Sequence, residues 1–73
     1  MKKIVFKKIT HYRPGSIYVD VRTTMNGKRV MPTFWNARID RLTKDPNYRL
    51  VGKDVRGGKE DGQTVEELVF EEK

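Results

Sequence analysis

The cleanest alternation in the chain lies in SIYVDVRTTM (residues 16–25), where Ile17, Val19 and Val21 interleave with Tyr18, Asp20 and Arg22. Period two marks a strand with one buried face. Upstream, KIVFKKITHY (residues 3–12) is rich in β-branched and aromatic residues and also reads as a strand. Two faces compete in it: Ile4, Phe6 and Tyr12 on one, Val5 and Ile9 on the other. Between the two strands, RPGS puts Pro14 and Gly15 at the second and third positions of a type II turn.

Asn26-Gly27 is a strong hairpin signal, because both central positions of a type I′ turn need positive φ. A two-residue turn sets Met25 opposite Lys28, Thr23 opposite Val30, Val21 opposite Pro32, Val19 opposite Phe34 and Tyr18 opposite Trp35. Partners across a ladder share a face. The register therefore predicts a core face of Val19, Val21, Val30 and Phe34, with Tyr18, Arg22, Met31 and Trp35 on the other side. Pro32 removes a ladder donor, marking the third strand as an edge or as bulged, and a bulge there would exchange the faces.

NARIDRLTKD follows, with Asn36 as N-cap and Ala37, Ile39 and Leu42 spaced for a short helix near 36–44 that Pro46 closes. NYRLVGKDV reads as a last strand, and RGGKEDGQ as a charged flexible loop over 57–63. The acidic C-terminal segment, 64–73, carries Thr64 and Glu67 in a capping box and reads as a short helix. Its extended alternative turns Leu68 and Phe70 inward. The expectation is an α+β fold: a small antiparallel sheet of three to four strands with one or two short helices, and a basic β-rich body over 1–56.

At 73 residues the chain makes one domain, close to the size below which staples become necessary. With no cysteine it has no disulfide or thiolate metal site, which points to a cytoplasmic setting. The apolar run after the basic start is too short for a signal-peptide core, and nothing reaches transmembrane length. The net charge of +6 hides a split. Residues 1–59 carry 15 Lys/Arg against 4 Asp/Glu, and residues 60–73 carry 1 against 6. Such a body can meet a polyanion, with an acidic tail to shield it; the simpler reading is that the tail folds back and balances the body.

No catalytic or cofactor motif survives inspection. GKDVRGGK has the outer-glycine gap of a phosphate-binding loop, but Gly58 stands where Lys belongs and Lys59 is followed by Glu60. His11 is the only histidine, and Asp20, Asp40, Asp45 and Asp54 sit singly among cations as salt-bridge partners. A non-enzymatic protein without cofactor or metal is expected. What remains is a surface: Lys3, Val5 and Lys7 of the first strand, with Tyr18, Arg22, Arg29, Met31 and Trp35. Trp, Tyr and Arg are enriched at protein–protein hot spots. Aromatics with basic neighbours equally suit the stacking of unpaired bases, which makes a single-stranded nucleic-acid-binding domain the alternative. A third class is an assembly protein that completes a sheet through an exposed edge.

The stretches MKKIVFKKITHYRPG and VMPTFWNARIDRL, with the short length and basic body, resemble small transcription regulators of lytic Xanthomonas phages. The resemblance implies a monomer in the host bacterial cytoplasm that binds RNA polymerase, inhibits initiation and prevents termination. It places the partner site on the amino-terminal region of the largest subunit, near the RNA exit channel, where nascent RNA or other nucleic acid is also within reach.

Overall fold

Proline decides where the sheet gives way to the helix. In the computed structural model, which describes residues 2–73, the strands are β1 (Lys3–Tyr12), β2 (Val19–Met25), β3 (Lys28–Val30), β4 (Tyr48–Gly58) and β5 (Gln63–Glu72), with a helix α1 (Pro32–Lys44). The turn Lys59–Asp61 is 3-10. The strands form one antiparallel sheet in the order β3-β2-β1-β5-β4, so the α+β class holds with five strands rather than three or four.

The Asn26-Gly27 turn forms with both residues at positive φ, and Met25 pairs with Lys28 and Thr23 with Val30 as the two-residue loop requires. The ladder ends at Val30. Met31 is the extended N-cap of α1, five positions before the expected cap Asn36, and Pro32 is its first residue. A proline that interrupts a strand is also well placed to open a helix, because its φ is already helical and its missing N–H had no intrahelical partner. The expected pairings of Val21 with Pro32, Val19 with Phe34 and Tyr18 with Trp35 therefore do not exist.

The helix places Trp35, Ile39 and Leu42 at i, i+4 and i+7 along one stripe and lays it across the sheet, touching β2 and β4. It packs on the face carrying Ile4 and Phe6 of β1 and Phe70 of β5, with Met25, Val30, Tyr48 and Leu68 around them. Phe6 is the centre, meeting Trp35 edge-on at 6.1 Å and Phe70 at 5.8 Å. Such aromatic pairs add about 0.5–1.5 kcal/mol beyond burial. No helix among the described residues is long and apolar enough to cross a membrane.

The acidic C-terminal segment is strand β5 rather than a helix, and it lies between β1 and β4. Its alternation puts Leu68 and Phe70 inward, as the extended alternative has it. The charge split along the chain closes in space: Glu66 meets Lys8 at 3.7 Å, and Glu71 lies between Lys3 at 4.0 Å and Arg49 at 3.8 Å. The segment expected as a loop at 57–63 is mostly hairpin. Gly57 has φ 78 where a Cβ would stand 2.4 Å from the Gln63 carbonyl oxygen, so glycine is required there.

Candidate interaction surface

The helix covers one face of the sheet, and the alternation of β1 turns Lys3, Val5, Lys7, Ile9 and His11 to the other. The register builds this open face row by row, since paired residues share it. Lys3, Glu71 and Arg49 form one row, and Val5, Val69 and Gly52 the next. Then come Arg29, Thr24, Lys7, Glu67 and Asp54. A fourth row runs Arg22, Ile9, Val65, Arg56. The result is a half-buried strip of Val5, Ile9, Val65 and Val69 along the two central strands, framed by cations. A shallow depression of about 440 Å³ lies over Lys7, Ile9, Arg56, Gln63 and Val65.

The frame is unevenly neutralised. Glu71 is buried and held by Lys3 and Arg49, and Arg56 Nε donates to Asp54 at 2.8 Å. Among the described residues Lys7, Arg22 and Arg29 have no carboxylate within 4.0 Å, although Glu67 faces Lys7 across the ladder. This side of the face carries the free positive charge.

Of the residues expected to touch a partner, Lys3, Val5, Lys7, Arg22 and Arg29 fall together here. The other three do not. Trp35 is 4% exposed in the core, with Nε1–H donating to the Thr24 carbonyl at 3.1 Å and Lys8 Nζ 5.6 Å from its ring. It is a packing residue, and the expected cluster of Tyr18, Arg22, Met31 and Trp35 is not formed. Tyr18 stands in the β1–β2 loop, 73% exposed, its N–H donating to Ser16 Oγ. Met31, 71% exposed, lies between β3 and α1 beside a groove formed with Val21, Thr23, Val30 and Pro32. Val19, Val21 and Phe34, expected in the core, are exposed.

Sequence reasoning missed the half of the face contributed by β4 and β5: Val65, Val69, Arg49 and Arg56. The signal was present in the alternation of Val65, Glu67 and Val69, which the helical reading of 64–73 discarded. Among the described residues no three His, Asp or Glu side chains gather in a metal-binding cluster. His11 lies beside Asp20, Arg22 and Arg29, and Asp20 is already bridged to Arg13 at 2.7 Å. No known protein family, curated protein or solved structure matches the chain.

Proposed function

We propose that this chain is a non-enzymatic binding protein that docks through its open sheet face onto bacterial RNA polymerase, inhibiting initiation and promoting antitermination in a phage-infected host. The observation that carries the docking surface is that Lys3, Val5, Lys7, Arg22 and Arg29 share one uncovered face whose apolar strip continues into β5. The choice of polymerase, at the amino-terminal region of its largest subunit near the RNA exit channel, rests on the resemblance of residues 1–15 and 30–42. The five strands, from three to eleven residues long, present a face of about 650 Å² in projection. That is of the order of the roughly 800 Å² per partner in a standard interface. An apolar centre with a charged rim is the usual anatomy of such surfaces.

The single-stranded nucleic-acid alternative has less support. Stacking needs aromatic rings on the binding face. Here Phe6, Tyr12 and Phe70 point to the helix side of the sheet, Tyr48 and Trp35 pack in or against the core, Phe34 is on the helix and Tyr18 is in a loop. The test is capture from nuclease-treated bacterial lysate, comparing the native chain with a Lys7→Glu/Arg22→Glu/Arg29→Glu variant. Polymerase subunits retained by the first and lost by the second are expected. Retention of RNA alone, and only without nuclease, would replace this reading with the nucleic-acid one.

A further inference from the structure

We propose that the free edge of β2 at Val19–Arg22 is a strand-addition site for an extended partner segment that alternates apolar and acidic residues. β3 pairs with β2 only at Thr23, Thr24 and Met25, because the chain leaves the sheet at Met31 to begin α1. The four residues of β2 before Thr23 have β1 on one side and, among the described residues, no strand on the other. Asn26 N–H donates to the Val5 carbonyl of β1 at 2.8 Å. Peptide groups alternate along a strand, so those of Val21 and Val19 point away from β1 toward this open edge. An added strand in line with β3 would pair with both.

The two sides of this edge differ in chemistry. On the helix side a groove of about 370 Å³ is lined by Val21, Thr23, Arg29, Val30, Met31 and Pro32, apolar apart from Thr23 and Arg29. On the open side a hollow of about 280 Å³ is lined by His11, Asp20, Arg22 and Arg29. Asp20 there is neutralised by Arg13, whereas Arg22 and Arg29 have no carboxylate within 4.0 Å among the described residues. Side chains of an incoming strand alternate between the two sides. Apolar residues would enter the groove and acidic ones would meet the arginines, and this charge complementarity selects the occupant. The opposite edge, β4, is a poorer template. It carries a bulge between Leu50 and Gly52 and ends in Gly57-Gly58, features that blunt an edge.

The site goes beyond docking by the sheet face, and its test keeps the two apart. A fluorescein-labelled Glu-Val-Glu-Val-Glu-Val peptide, titrated with the native chain in low salt, is read by anisotropy. Saturable binding is expected, at least tenfold weaker with Arg22→Glu/Arg29→Glu. A peptide N-methylated on alternate amides should bind at least tenfold more weakly in one methylation register and normally in the other. Val21→Pro removes one edge donor while leaving the open face charged, and proline is tolerated where a strand N–H faces solvent. It should also weaken binding with the circular dichroism spectrum unchanged. Equal binding of a Glu-Glu-Glu-Val-Val-Val peptide, or of both methylated forms, would overturn strand addition. A concentration-dependent dimer abolished by Val21→Pro would overturn the proposal by naming a second copy of the chain as occupant.

Discussion

Replacing Trp35 with alanine should unfold the protein or bring it close to unfolding. The indole is 4% exposed, packs edge-on against Phe6 and donates Nε1–H to Thr24. Large aromatic-to-alanine changes in cores cost about 3–5 kcal/mol, and a site that also loses an aromatic pair and a hydrogen bond belongs at the upper end. A domain of this length holds about 4–11 kcal/mol in total at roughly 0.05–0.15 kcal/mol per residue. With a urea dependence of about 1 kcal/mol per molar, the midpoint should fall by about 3–5 M. Trp35→Phe keeps a ring against Phe6 and loses the Nε1–H bond with some volume, for a fall of about 1–2 M. The assay is urea unfolding followed by far-UV circular dichroism, since the tryptophan itself is removed. A Trp35→Ala protein with a native spectrum and a midpoint within about 0.5 M of the parent, below any core penalty, would refute the placement of this residue.

Gly57→Ala should be severely destabilising in thermal melts, because its Cβ would fall 2.4 Å from the Gln63 oxygen at φ 78. Gly58→Ala is extended with open space around it and should be neutral or gain up to about 1 kcal/mol. Asn26→Gly keeps the positive-φ turn but loses the bond from Val5 N–H to Asn26 Oδ1, costing about 1 kcal/mol in denaturant titrations. Asn26→Ala adds the left-handed penalty of roughly 1 kcal/mol more. Glu71→Gln leaves Lys3 and Arg49 facing each other without their carboxylate, and should lower stability by about 1 kcal/mol, an effect that shrinks in high salt.

What the sequence made legible, and what it did not, turns on a few residues. The Asn26-Gly27 hairpin and its first two pairs were readable because positive φ is a local demand that local chemistry satisfies. The fate of Trp35 was not, because Pro32 satisfies two local rules at once. It can end an edge strand or begin a helix, and only the need to cover Phe6 and Phe70 selects the helix. In β5 the capping-box pattern at Thr64 and Glu67 competed with strand alternation, and pairing on both sides with β1 and β4 overrode it. The exposure of Val19 and Val21 has the same origin: they alternate cleanly, but the helix packs at the other end of that face. Half of the candidate surface was legible because β2 alternates cleanly and Lys3, Val5 and Lys7 fall on one face of β1 at period two. The half from β4 and β5 depended on a pairing between distant segments.

The proposed function requires that the uncovered face, rather than the helix, meets the partner. Methyl-labelled protein titrated with purified bacterial RNA polymerase and followed by NMR tests it directly. The methyl signals of Val5, Ile9, Val65 and Val69 should shift or broaden together while those of Ile4 and Leu42 in the core hold their free-state positions. Perturbation confined to the exposed side of α1, or no perturbation at saturating polymerase, would contradict it.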